Sequence, residues 1–158
     1  MSVLVFAENW DGKFKKSSFE LVSYASQVSG MMNTTTTVLS LGKVEKSELE
    51  KLARFGANKI LNGVGANLDV FDSQAYCKVI SDIAAKEATT VVILSNNNSG
   101  KALAPRISVR LKAGIGAGVS KLPISLDPFV VYKRAFSGNA FANLTIRTDI
   151  KIITLAQN

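Results

Sequence analysis

Histidine is absent from this 158-residue chain, cysteine occurs once, at Cys77, and proline only three times. Without histidine, Ser-His-Asp and Cys-His triads, HExxH zinc sites and Cys2His2 fingers are all excluded. A single cysteine forbids an intrachain disulfide, which fits a reducing compartment and points to the cytoplasm. Glycine is also modest, at 11 residues, so a collagen-like or low-complexity chain is ruled out. No apolar run approaches the ~18–20 residues that a membrane span needs. The N-terminus has no basic stretch and reaches Glu8 at once, so no targeting segment is expected. What is present is 47% apolar and 20% charged residues, a composition that supports a packed core. The length predicts one domain over residues 1–158.

The net charge of +7 is unevenly placed. Residues 1–100 hold ten Lys/Arg and ten Asp/Glu, which cancel. The last third holds Lys101, Arg106, Arg110, Lys112, Lys121, Lys133, Arg134, Arg147 and Lys151 against only Asp127 and Asp149. Such an excess suits an anionic partner or a nucleic acid, and equally a solvated face. The cations are spaced apart without interleaved surface aromatics, which weighs against a nucleic-acid-binding module.

Short β-branched runs alternate with helical stretches. Val3–Ala7 reads as a buried strand, and Glu8 to Lys16 as a polar connection around the turn dipeptide Asp11-Gly12. Ser17-Ser18-Phe19-Glu20 has the form of a capping box, opening a helix with Leu21, Val22, Ala25 and Val28 on one face and Gly30 placed to end it. Thr35–Leu41 reads as a strand, and a second box at Ser47–Glu50 opens a short helix stopping near Gly56. Asn58–Leu61 follows as a brief strand, then a helix capped by Asp72. Thr89–Leu94 is apolar enough to be a central parallel strand, covered on both faces. The next helix carries Leu103, Ile107 and Leu111, with Pro105 expected in its first turn. Residues 115–120, 129–136, 141–147 and 150–155 read as successive strands. The fold class expected is therefore α/β, a three-layer α/β/α arrangement whose mostly parallel sheet gains antiparallel strands near the C-terminus.

Several segments could carry chemistry. Asn96, Asn97, Asn98, Ser99, Gly100 and Lys101 fall between a strand and a helix, where an open α/β sheet places its ligand. The spacing is not that of a P-loop, and asparagines capping a helix explain it equally well. Gly114-Ile115-Gly116-Ala117-Gly118 follows a helix and precedes a strand, the reverse of the Rossmann order, so a helix terminus with close backbone packing is expected. Cys77 has no basic residue three or four positions away and reads as an inert thiol. Glu45, Glu48 and Glu50 suit a helix N-terminus, whose dipole favours carboxylates, rather than a metal. Trp10 and Phe14 could anchor a partner or fold back over the core. No acid, base or nucleophile is assembled with a partner, which argues for a binding or scaffolding part rather than an enzyme.

Three blocks, Val3–Glu8, Ser99–Arg106 running on to Leu111, and Phe136-Ser137-Gly138-Asn139-Ala140 followed by Lys151–Thr154, resemble the N-terminal domain of the electron transfer flavoprotein alpha subunit. Lys133 stands where that family usually has arginine, Phe136 where it has tyrosine, and Gly118 where it has aspartate. The resemblance implies an adenine nucleotide alpha hydrolase-like fold and a non-catalytic role. It implies a heterodimer with a beta subunit, serving flavoprotein dehydrogenases through one FAD held mainly by a second domain lying beyond these residues. It also implies that the AMP belongs to the beta subunit, leaving residues 96–101 a vestigial nucleotide loop. On this view the domain is architectural and needs neither membrane nor nucleic acid. The competing expectation is a free-standing adenine-nucleotide sensor similar to universal stress proteins, but their glycine spacing does not follow Leu94.

Overall fold

The apolar strands assemble in a computed structural model that describes residues 1–157, with the Phe136 side chain also outside the described set. The strands are β1 (Ser2–Phe6), β2 (Thr36–Leu41), β3 (Lys59–Gly63), β4 (Thr89–Ser95), β5 (Gly114–Val119), β6 (Ser125–Leu126), β7 (Phe129–Ala135), β8 (Ala140–Ile146) and β9 (Lys151–Leu155). The helices are α1 (Lys16–Met31), α2 (Lys46–Lys51), α3 (Ser73–Lys86) and α4 (Asn98–Leu111). One sheet runs in the order β3-β2-β1-β4-β9-β5-β7-β6, with β8 paired to β7. The pairs from β3 through β5 are parallel, while β6, β7 and β8 join antiparallel. This is the three-layer, mostly parallel arrangement expected. The last strand, β9, returns to the middle, between β4 and β5.

Alternation along the central strands divides the core in two. Val3 and Val5, with Val91 and Ile93, pack on α1 through Leu21, Val22, Ala25 and Val28. Leu4 and Phe6, with Val92 and Leu94, pack on α3 and α4 through Tyr76, Ile80, Leu103 and Ile107. The period of two thus places a helix layer on each face. Each fully buried side chain of this size contributes roughly 1.5–3 kcal/mol.

Several local expectations are corrected. Neither capping box forms. Helix α1 begins at Lys16 with no side-chain cap, and Ser18 instead donates to the Glu8 carbonyl at 2.7 Å. Helix α2 begins at Lys46, where Glu48 accepts from the Phe14 amide at 3.0 Å and pairs with Lys51 at 2.7 Å. Those partners, Lys51 first, hold the Glu48 carboxyl below its ordinary range. Gly30 does not end α1: the helix runs on to Met31, and Asn33 takes the left-handed conformation at φ 54°. Asp72 does cap α3, accepting from the Gln74 and Ala75 amides. Pro105 lies inside α4 rather than in its first turn, because Asn97 caps the helix upstream; the exposed ring removes the bond to the Lys101 carbonyl.

The glycine run is strand β5 itself, and the left-handed residue ending α4 is Lys112. Close packing is its purpose nonetheless. A Cβ on Gly114 would come within 2.8 Å of Ile146, and one on Gly116 within 3.0 Å of Val131. The β7–β8 hairpin lies against these bare backbone positions.

Gly30 supplies a prediction. A Cβ there meets nothing within 4 Å. Gly30→Ala is expected to stabilise by about 0.5–1 kcal/mol, since glycine carries extra unfolded-state entropy. A urea midpoint that stays put or falls would contradict this.

Candidate functional site

Chain direction marks the crevice to inspect. After β1 the chain turns to α1 on one face, and after the adjacent β4 it turns to α4 on the other. Open α/β sheets bind ligands where neighbouring strands diverge in this way. Residues 96–101 lie at that divergence, and Asn98 opens the 14-residue helix α4.

The loop's polar groups are turned inward on one another. Asn97 caps α4 by accepting from the Gly100 amide at 2.9 Å. Its Nδ2 donates to Glu8 Oε1 at 2.7 Å. Ser99 Oγ donates to the second carboxylate oxygen, Oε2, also at 2.7 Å. A chain carboxylate from the end of β1 thus sits against the start of a helix, where a bound phosphate would otherwise take the donors. Such charge-assisted bonds are the strong class. Asn96 closes the other side of the loop. Its Oδ1 accepts from Thr154 Oγ1 at 3.0 Å, and that hydroxyl accepts from the Gly118 amide at 3.0 Å. Gly118 stands at φ 70° where the register of β5 against β9 shifts. Gly100 is buried against the Ser95 carbonyl, with no room for a Cβ. Asn98 and Lys101 are exposed.

Comparison with known sequences gives this geometry a family. The model of the electron transfer flavoprotein domain matches residues 3–158. The chain belongs to that family. An electron transfer flavoprotein subunit alpha of Clostridium acetobutylicum is 29% identical over 90% of this chain, and only 43% of that protein is covered. A protein of Anaerotignum propionicum, the acryloyl-CoA reductase electron transfer subunit beta, is 26% identical over 90% of this chain and 39% of its own length. The chain therefore spans less than half the length of these relatives. Among solved structures, a universal stress protein in complex with cAMP aligns with 68% of this chain and 90% of that one, at a TM-score of 0.40 and 14% identity. That likeness is too distant to carry an argument about fold or ligand.

The flavoprotein family brings FAD into question, and the loop can be tested against it. A pyrophosphate at the start of α4 would meet the Glu8 carboxylate and find Asn97 Nδ2 and Ser99 Oγ already engaged. The residues present do not fit a phosphate there.

The remaining candidates disperse. Cys77 is buried on α3, its Sγ 3.8 Å from Ser81 Oγ. Phe14 folds back into the core, while Trp10 is half-buried with the Lys15 ammonium 4.1 Å from its ring centroid. Among the described residues no group of three His, Cys, Asp or Glu could hold a metal, and no helix is long and apolar enough to cross a membrane. Of the cations of the last third, Lys101 belongs to the loop and Arg134 borders a cavity with Asn96 and Gly118, whereas Lys121 lies over Tyr132 and Lys151 over Phe129, with Lys133 on β7 opposite Val119. Sequence reasoning missed the role of Glu8, which it read as the start of a polar connection and the end of the first family-like block. The available signal was a lone carboxylate directly after an apolar β1 run, in a fold whose next strand is β4.

Proposed function

We propose that residues 1–158 act as one non-catalytic domain of an electron transfer flavoprotein alpha subunit, supporting a redox carrier without handling electrons. The observation carrying this reading is the Glu8 carboxylate bonded to Asn97 and Ser99, which converts a nucleotide-type loop into an internal clamp. On this reading residues 96–101 are a vestigial nucleotide loop. FAD, when bound, supplies the redox chemistry of such carriers, and it would be held by residues other than these. The partner is a beta subunit, and the flavoprotein dehydrogenases are reached through the assembled carrier. The printed name of the Anaerotignum propionicum relative, an electron transfer subunit of a reductase, supports such a role. The cationic last third would face the partner or the flavin-bearing part. The setting is the cytoplasm, consistent with a single buried thiol.

Co-expression with a beta subunit tests the assignment. The chain is expected to co-purify with that subunit and, alone, to be colourless across the flavin absorption bands. Stoichiometric flavin on the isolated chain, or failure to associate with any beta subunit, would refute it.

A further inference from the structure

The carboxyl ends of β1 and β2 border a cavity of about 550 Å3 that the reading above does not use. Trp10, Phe71 and Tyr76 form aromatic walls, with Tyr76 edge-on to Phe71 at 5.1 Å and to Phe6 at 5.9 Å. Three carboxylates line the same space, from Glu8, Asp11 and Asp69, with the Lys43 ammonium in the lining and the Lys15 ammonium over the Trp10 ring. Within a chain of net charge +7 the carboxylates here still outnumber the ammoniums, three to two. Among the described residues, no ion pair engages Lys43 or any of these carboxylates. The cavity is also pre-shaped. Asp11 is fixed at φ 51° in a tight turn, closed by reciprocal Trp10–Lys13 backbone bonds of 2.8 and 3.1 Å. Asn9 accepts from the Gly12 amide beneath it. Burial first, and then the charges of Glu8 and Asp69, raise the Tyr76 phenol above its ordinary range, so both carboxylates bear on this one wall.

Aromatic faces combined with carboxylates recognise cations, and the planar guanidinium suits both at once by stacking and by forked hydrogen bonding, for which Asp11 and Asp69 are the acceptors because both Glu8 oxygens are engaged by Asn97 and Ser99. An anion is disfavoured by the same charges. Phe71 in the lining is 39% exposed, and Val70, between the lining residues Asp69 and Phe71 in sequence, is 79% exposed, giving apolar surface for residues flanking an inserted side chain. We propose that this cavity receives an arginine side chain from a partner protein, its guanidinium on Asp11 and Asp69 in the field of the Glu8 charge and its stem along Phe71 and Trp10. The inference does not rest on the electron-carrier reading, and either can fail alone.

Trp10 is the chain's only tryptophan, so its fluorescence reports on the site directly. The probe is acetyl-Leu-Arg-Leu-amide, titrated beside the citrulline peptide, which keeps the shape and loses the charge, with calorimetry as a second readout. The arginine peptide is expected to give a saturable change and the citrulline peptide at least about tenfold weaker binding. Asp69→Asn should weaken the arginine peptide about fivefold, while Lys43→Gln should tighten it about threefold by removing the competing charge. Asp11→Asn, a residue that tolerates the left-handed backbone, stands in if Asp69→Asn fails to fold. The proposal is overturned by no saturable response up to about 10 mM peptide, by equal binding of the two peptides, or by carboxylate and lysine variants moving the same way.

Discussion

Gly100→Ala is expected to cost about 4 kcal/mol of stability, placing it among the rare, strongly destabilising substitutions. The added Cβ would collide with the Ser95 carbonyl oxygen, and neither partner is a flexible side-chain tip that could swing aside. Ser95 ends the central strand β4, whose Val91–Leu94 stretch is buried, so relief must come from displacing the start of α4. That displacement would also pull Ser99 and Asn97 from Glu8. For a chain of this length the melting temperature should fall by roughly 10 °C. A loss below about 1 kcal/mol would mean that the junction of β4 and α4 is looser than described.

Removing the carboxylate is expected to have the next largest effect. Glu8→Ala leaves Asn97 Nδ2 and Ser99 Oγ without their acceptor at a partly buried helix start. Hydrogen bonds to a charged group contribute about 1.5–3 kcal/mol each, but water can reach this loop, so a total near 2 kcal/mol is expected. Ser99→Ala removes one of the two bonds and should cost about half as much. The two substitutions share a partner, so their effects in combination should fall short of the sum. Inorganic phosphate should then raise the melting temperature of Glu8→Ala more than that of the parent chain, because an external anion can take the vacated donors. Equal phosphate responses in the two proteins would contradict the role given to Glu8.

The layers of the fold were legible because strand patterning and helix spacing agreed with them. Val3–Ala7 and Thr89–Leu94 lie within one or two residues of β1 and β4, and the predicted α1 face of Leu21, Val22, Ala25 and Val28 is buried as read. Helix ends were less legible, since a capping motif competes with tertiary partners. Ser18 found the Glu8 carbonyl, and Glu48 found the Phe14 amide, 34 residues away. The glycine run was half legible. Its need for close approach follows from composition, but the object approaching it, a hairpin more than ten residues downstream, is a long-range fact. The loop at residues 96–101 was located correctly at the end of β4. What it does depends on Glu8, which only parallel pairing of β1 with β4 brings to it. No local window of sequence contains that contact.

Calorimetric titration of the purified chain with AMP and with FAD tests the central claim, that this helix start is filled by the chain's own carboxylate and accepts no nucleotide phosphate. The account predicts no specific heat up to about 1 mM ligand, corresponding to less than about 4 kcal/mol of association free energy. One-to-one binding of either ligand at micromolar concentration, weakened by substitution of Asn97 or Ser99, would contradict it.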